Sequence, residues 1–281
     1  MDKYESKKWR KRVNKKIGFI GGGNMGGAII GGIIAASLVK SDMVMVADLN
    51  ETLLDNLSTR FGVITTKDNK QVAKEADILF LSVKPNIYAV VIEQIKEIIT
   101  EHTLVVSIAA GQTIDSIETM FGKEIKLVRT MPNTPALVGE GMAALCPNKL
   151  VGDEDLADVK VIFESFGKCE VVSEYLMETV IGVSGSSPAY VYMFIEALAD
   201  AAVVGGMPRA QAYQFAAQSV LGSAKMVLET GMHPGELKDM VCSPGGTTIA
   251  AVAELEMNGF RGSVMGGTLA CIEKAKQMNK K

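Results

Sequence analysis

Ile17-Gly18-Phe19-Ile20-Gly21-Gly22-Gly23-Asn24-Met25-Gly26 is the stretch whose reading decides the fold of this chain. A short apolar run enters a glycine turn, and a helix of small residues leaves it. Gly21, Gly23 and Gly26 keep the spacing G-x-G-x-x-G. The three glycines serve different ends: one makes a tight turn, one lets bare backbone approach a pyrophosphate, and one packs the helix close on the strand. The first amides of the helix, around Asn24 and Met25, then face phosphate oxygens. Glycine triplets also occur in plain turns, so the weight rests on the strand before and the helix after.

The same region has a second reading. Between residues 17 and 39 only Asn24 and Ser37 are polar, and a lysine-rich segment precedes them. A signal sequence or membrane span has that outline. So many glycines would weaken a lone helix, and the run breaks at Gly21-Gly22-Gly23-Asn24, where a strand hands over to a helix. The nucleotide-binding reading is preferred, and no membrane partner is expected.

A chain of 281 residues has room for one large domain or two ordinary ones. Its composition, 48% hydrophobic and 22% charged, is that of a soluble globular protein. A net charge of -3 gives no general case for a nucleic-acid partner. Basic residues cluster at the start (Lys3, Lys7, Lys8, Arg10, Lys11, Arg12, Lys15 and Lys16), and a solvated tail over residues 1–15 is the expectation. Cys146, Cys169, Cys242 and Cys271 are scattered and form no C-x-x-C pair, and His102 and His233 are the only histidines. No metal site and no disulfide framework is expected, and free thiols suit a cytoplasmic location.

Apolar runs at Ile17–Ile20, Met43–Ala47, Ile78–Val83, Leu104–Ile108 and Lys126–Thr130 alternate with helical patterns, and runs around Ala143 and Val171 add two further candidate strands. Continuous apolar strands belong to a parallel sheet covered on both faces. The expected fold is α/β: a doubly wound Rossmann-type domain over residues 16–172. From Ser173 the pattern is helical, with helices near Ser187–Gly205, Pro208–Thr230, Pro234–Val241, Thr247–Asn258 and Arg261–Gln277. Residues 173–281 are therefore read as an all-helical domain. Its helices carry apolar residues on two faces, which points to burial in an oligomer.

In this fold an acidic residue ending the second strand binds the adenosine ribose. Asp48 stands in that place, and equally fits an ordinary helix N-cap or turn aspartate. As a ribose ligand it would repel a 2′-phosphate, and no arginine lies beside it, which leans towards NADH over NADPH. Ligands sit at the carboxyl ends of parallel strands. Val83, Lys84 and Pro85 close one such strand, Ala109 and Ala110 follow another with small residues that admit a nicotinamide, and Asn133 lies in the stiff Met131–Pro135 loop that would form a wall. In the helical half, Gly185–Tyr190 opens one helix and Cys242–Thr248 opens another. The second loop, with its glycines, threonines and serine at a helix start, is a ready anion site.

With those residues in view, the chain resembles the pyrroline-5-carboxylate reductases. The resemblance runs from Lys16 to the end and rests on Ile17–Gly27, Val83–Pro85, Ser107–Gly111, Met131–Pro135, Gly185–Tyr190 and Gly205–Arg209. Its most specific block is Leu237-Lys238-Asp239-Met240-Val241-Cys242-Ser243-Pro244-Gly245-Gly246-Thr247-Thr248. The resemblance implies reduction of 1-pyrroline-5-carboxylate to L-proline with NADPH or NADH. It implies a helical-domain homodimer, and a decamer of dimers as a larger form. It assigns the catalytic hydrogen bond to the ring nitrogen to Thr248, and the substrate carboxylate to Ser243, Gly245, Gly246 and Thr247. Family members frequently prefer NADPH, whereas Asp48 stands where many relatives have a neutral residue.

Two other functions fit parts of the pattern. β-Hydroxyacid dehydrogenases also join a nucleotide domain to a helical one, with a catalytic lysine there. Lys225 and Lys238 are available, but neither has the expected glycine-serine surroundings. A nucleotide-sensing module would use the helices only to dimerise, and would have no need of the Ser243–Thr248 loop. The enzyme reading requires the glycine turn and the Cys242–Thr248 loop to come within reach of one hydride transfer.

Overall fold

The computed structural model describes residues 13–278. The basic tail expected over residues 1–15 lies, up to residue 12, outside them. The chain divides into two compact units: one comprises the described residues up to Gly185 together with those from Ile272 onward, and the other runs from Ser186 to Cys271.

In the first unit, β1 (Ile17–Ile20) leads into α1 (Asn24–Ala35), followed by β2 (Val44–Ala47), α2 (Glu51–Phe61), β3 (Ile64–Thr66) and α3 (Asn69–Glu75). Then come β4 (Ile78–Leu81), α4 (Tyr88–Ile95), β5 (Leu104–Ser107), α5 (Ile114–Phe121) and β6 (Lys126–Met131). The unit continues with β7 (Gly141–Pro147), α6 (Asp153–Glu164), β8 (Gly167–Val171) and the short α7 (Met177–Val180). The strands make one eight-stranded sheet in the order β3-β2-β1-β4-β5-β6-β7-β8. The reversal of order beside β1 is the switch point at which open α/β sheets bind ligands.

The apolar runs explain the layers. Every residue of β1, β4 and β5 is buried, because helices cover both faces. On one face Phe19 and Phe80, paired in register, stack with centroids 4.7 Å apart and 12° between planes, and Phe163 of α6 packs on them. On the other face Leu79, Leu81 and Val105 meet Tyr88, Ile92 and Ile95 of α4. Side chains alternate between faces along a strand, so neighbouring residues of one apolar run feed two different cores.

The structure departs from the sequence-based expectation in several places. β3 is an additional strand of three residues whose first, Ile64, is 41% exposed. Met43 belongs to a 3-10 turn (Ser41–Met43), and Ser82, Val83 and Ile108 lie in the loops beyond β4 and β5. The sheet is not wholly parallel: β7 pairs antiparallel with β6, and β8 parallel with β7. The chain between β6 and β7 contains only a 3-10 turn (Thr134–Val138), too short for a helical crossover, so β7 must return antiparallel. Lys15, the last residue of the expected tail, is held by the folded unit, and the exposed Lys16 beside it is paired as well. Lys15 Nζ lies 2.9 Å from Asp155 and 3.1 Å from Asp158, and Lys16 pairs with Glu75. Burial alone would raise the Asp155 carboxyl, but hydrogen bonds from Lys15 and Lys126 outweigh it and hold the group below the usual carboxylate range.

The second unit is helical: α8 (Ser187–Val204), α9 (Arg209–Thr230), α10 (Pro234–Val241), α11 (Thr247–Met257) and α12 (Phe260–Met278), whose last residues belong to the first unit. Pro188 stands in the first turn of α8 and Gly231 caps α9 in the left-handed conformation, as fits a helix start and stop. The core of this unit is small, centred on Ala199, Ala212 and Ala216. Tyr192, Met193, Phe215, Leu228, Met265 and Leu269 all stand exposed. A monomer does not leave that much apolar helix surface uncovered. Helical backbone from Glu174 to Val204 is also long and apolar enough to cross a membrane by length and composition alone.

One buried cation anchors the chain where it leaves the sheet. Arg129 of β6 is 2% exposed and forks onto Glu174 (2.9 Å) and Glu178 (3.2 Å), and the Ile114 amide also donates to Glu174. Breaking a buried ion pair by removing one partner is strongly destabilising. Arg129→Met is expected to lower unfolding stability by about 3 kcal/mol, read as a fall in thermal midpoint. An unchanged midpoint would show that the fork does not anchor this segment.

Candidate active site

The turn after β1 is built by contacts that only glycine permits. Gly21 has φ of +100°, and a β-carbon there would lie 2.7 Å from the Ser82 carbonyl oxygen. Its amide donates to the Ala47 carbonyl at 2.8 Å, and its carbonyl accepts the Ser82 hydroxyl at 2.7 Å. The ends of β1, β2 and β4 are thereby drawn to one point. At Gly26 a β-carbon would lie 2.6 Å from the Gly21 carbonyl oxygen, so α1 sits directly on the turn. Gly23 is different. Its φ of -59° suits any residue, and a β-carbon there would meet nothing within 4 Å. The protein itself does not require glycine at that place.

Gly23 is also the N-cap of α1, and no side chain caps it. The helix therefore begins with amides that have no protein partner and carry the positive end of its dipole. Asp48 lies beside them. Its carboxylate accepts the Gly22 amide at 2.9 Å on one oxygen and the Asn50 amide at 3.0 Å on the other. The N-cap of α2 is Asn50, whose side chain accepts from Leu53, so Asp48 is not the capping residue. It closes a turn and holds the glycine loop, with a partly exposed carboxylate at the end of β2. An open glycine, an uncapped helix start and a carboxylate at the second strand fit the pyrophosphate and ribose of a dinucleotide.

The other cofactor candidates stand at neighbouring strand ends. Val83 packs its side chain into the second core, while Lys84 is exposed and Pro85 opens a 3-10 turn. Ala109 is buried and Ala110 half-buried just past β5. Asn133 spends its side chain inside the protein: its amide donates to the Ser184 carbonyl and hydroxyl, both at 3.2 Å, and its oxygen accepts Met142 N–H at 2.9 Å. The exposed side chain of this loop is Thr134 rather than Asn133. Met25 packs against the first core, and Asn24 is exposed at the helix start. Ser82, read from the sequence only as part of the Ile78–Val83 strand, is the clasp of the glycine turn. A serine one position past a strand carries no pattern that announces such a role.

The candidate substrate residues come together in the helical unit. Gly245 has φ of +67°, and the Gly246 amide donates to the Ser243 carbonyl at 3.0 Å, closing a tight turn. Gly246 is the N-cap of α11, again without a side-chain cap. The amides of Thr247 and Thr248 therefore open the helix together with two hydroxyls. Ser243, Gly245 and Thr247 are exposed, and Thr248 is half-buried. Lys225 and Lys238, the lysines of the dehydrogenase alternative, pair with Glu229 and Asp239. The thiols of Cys146 and Cys169 are buried, and burial pushes Cys169 up to about 11, which keeps it an inert thiol.

Known proteins bear on both units. A family described as "NADP oxidoreductase coenzyme F420-dependent" matches residues 16–111, and one described as "Pyrroline-5-carboxylate reductase dimerisation" matches residues 174–278. Pyrroline-5-carboxylate reductase of Escherichia coli (strain K12) is 54% identical over 268 residues, covering 95% of this chain and 100% of the relative. That of Methanosarcina acetivorans is 44% identical over 95% of this chain and 99% of its own length. Among solved structures, a pyrroline-5-carboxylate reductase from Coxiella burnetii superposes with a TM-score of 0.90 at 37% identity, covering 96% of this chain and 100% of its own. The Plasmodium falciparum pyrroline carboxylate reductase with NADP bound gives 0.86 at 36% identity, over 95% and 99%. With half its length identical to a full-length relative and both units matched, the chain belongs to the pyrroline-5-carboxylate reductase family.

Proposed function

We propose that this chain reduces 1-pyrroline-5-carboxylate to L-proline with NADPH or NADH, the last step of proline biosynthesis. Residues 16–172 hold the dinucleotide, and residues 173–281 bind substrate and dimerise. The observation that carries the reading is the pair of uncapped helix starts, α1 at Gly23 and α11 at Gly246, each preceded by a glycine turn. One suits a pyrophosphate and the other a small carboxylate.

The bound dinucleotide supplies the hydride, and the protein supplies position and polarity. Gly21, Gly23, Asn24, Met25 and Gly26 present the first turn of α1 to the pyrophosphate, and Asp48 the ribose contact. Val83, Lys84, Pro85, Ala109, Ala110 and the Asn133 loop enclose the nicotinamide half. Ser243, Gly245, Gly246 and Thr247 grip the substrate carboxylate through amides and hydroxyls. Thr248 hydrogen-bonds the ring nitrogen. A protonated imine accepts hydride better than a neutral one, and a threonine hydroxyl is a poor acid. Thr248 therefore orients the imine and relays a proton from water rather than donating its own without replacement.

The same reading assigns the exposed faces of α8, α9 and α12 to subunit contacts in a homodimer, with a decamer of dimers as the larger assembly. Glu196 and Asp200 within α8 and the π-helical turn at Ile181–Gly185 suit an interface helix better than a membrane span. A cytoplasmic location agrees with the free thiols.

Three outcomes test this assignment. Gly23→Ala is expected to fold with an unchanged melting temperature yet bind dinucleotide about tenfold more weakly, since the added methyl enters only ligand space. Gly26→Ala, pressed against backbone, is expected to lose about 2 kcal/mol of stability. Calorimetric binding and thermal melts compare the two, and identical behaviour would refute the distinct roles. Thr248→Ala is expected to lower turnover about a hundredfold while dinucleotide affinity holds. Turnover like that of the unaltered protein removes Thr248 from the mechanism. Asp48→Asn is expected to raise the NADPH-to-NADH ratio of kcat/KM about tenfold by deleting a charge near the 2′ position. A constant ratio means that Asp48 does not discriminate against the phosphate.

A further inference from the structure

Tyr88, the first residue of α4, is 1% exposed and heads the fully buried side chains of the described residues by volume. Its ring lies in the cluster of Leu79, Leu81, Ile92, Ile95, Val105 and Ala109, where a phenylalanine ring would pack as well. The hydroxyl is what the apolar core does not call for. A buried hydroxyl is unfavourable unless it finds partners, and this one does. It donates to the Leu81 carbonyl at 2.7 Å and lies 3.0 Å from the Ser107 hydroxyl. Burial pushes the phenol well above its ordinary range, so it stays a neutral donor at every working pH.

These partners are not scattered through the core. Leu81 ends β4 and Ser107 ends β5, and the two residues are register partners. The Leu81 carbonyl also accepts Ile108 N–H at 3.3 Å, and the Ser107 carbonyl accepts the Thr130 hydroxyl of β6 at 3.0 Å. One phenolic oxygen thus ties the last residue of β4 to the last residue of β5, the two residues from which the loops depart. From those two strand ends depart Val83–Pro85 and Ala109–Ala110.

We propose that Tyr88 is a positioning residue for the nicotinamide half of the dinucleotide: its hydroxyl locks the loops after β4 and β5 at one separation, so that the ring meets a preformed wall. This rests on the assignment of those loops to the cofactor. Tyr88 touches no ligand itself and acts through the backbone it holds. Preorganised loops bind more tightly because ordering is already done before the ligand arrives. The pyrophosphate and adenosine portions rest on the turn after β1 and on Asp48, which Tyr88 does not contact. Loss of the hydroxyl should therefore be felt by one half of the cofactor only.

The test uses the full chain and its Tyr88→Phe and Ser107→Ala variants. Calorimetry measures binding of NADH, NADPH and the fragment ADP-ribose, which lacks the nicotinamide. Tyr88→Phe is expected to weaken both dinucleotides about tenfold and leave ADP-ribose unchanged, with Ser107→Ala showing a smaller loss of the same selectivity. In turnover the KM for dinucleotide rises while the KM for 1-pyrroline-5-carboxylate does not. Equal weakening of ADP-ribose, or no weakening at all, overturns the inference. Ala110→Leu separates it from its premise. If that variant weakens dinucleotide binding and Tyr88→Phe does not, only the positioning role fails. If Ala110→Leu is without effect, the loop assignment fails and the inference with it.

Discussion

The meeting of three strand ends at Gly21 is the constraint on which the rest of the first unit depends. The Gly21 amide reaches β2 through Ala47, its carbonyl holds Ser82 beyond β4, and its positive φ turns the chain into α1. Gly26 then rests a helix directly on that turn. Asp48 adds a second clasp by accepting the Gly22 amide. Each bond is an ordinary hydrogen bond of modest net strength. Together they fix a loop that hands over to a helix start which no side chain of the described residues caps. A loop held so firmly from behind can leave its outer face empty, and the open space at Gly23 is that face.

The helical unit follows a different logic. Its long helices bury little besides Ala199, Ala212 and Ala216, so its stability within one chain is limited by surface left in water. Large exposed side chains such as Phe215 and Met193 are then the substance of an interface rather than defects. Arg129, gripping Glu174 and Glu178, fixes the root from which the helical backbone departs. One unit is complete in itself and the other awaits company. The Cys242–Thr248 tip belongs to the second kind, and no side chain of the described residues caps the helix it opens.

Much of this was legible in the residues, and the gaps have physical causes. The β1–α1 turn is readable because Gly21 and Gly26 answer steric demands that no other residue meets, and Gly23 completes the spacing. Asp48 reads equally as a ribose contact and as an N-cap or turn aspartate; its hydrogen bonds from Gly22 and Asn50 make it a turn residue, Asn50 takes the N-cap, and neither fact bears on the ribose. β3 was invisible: Ile64-Thr65-Thr66 is short, polar on balance and at the sheet edge, so it buries too little to leave an apolar run. The direction of β7 was set by the shortness of its connection, which is a matter of three-dimensional closure rather than composition. Lys15 and Lys16 looked like the end of a charged tail because the acids that bind them lie far along the chain. Tyr88 and Ser82 give no signal, since a tyrosine in an apolar run reads as core and Ser82 reads as one more residue of the Ile78–Val83 strand. In the helical half the change of pattern at Ser173 precedes the compact unit that begins at Ser186, because helical backbone starts before the chain leaves the first unit.

If the glycine turn after β1 and the glycine–threonine tip of α11 serve one hydride transfer, the label of a deuterated cofactor must reach the product. On incubation of the full chain with 1-pyrroline-5-carboxylate and NADH or NADPH deuterated on one face of nicotinamide C4, proline carrying deuterium at C5, delivered from a single face of the cofactor, is expected. Bound dinucleotide with no turnover of that imine, or proline formed without the label from either face, would contradict it.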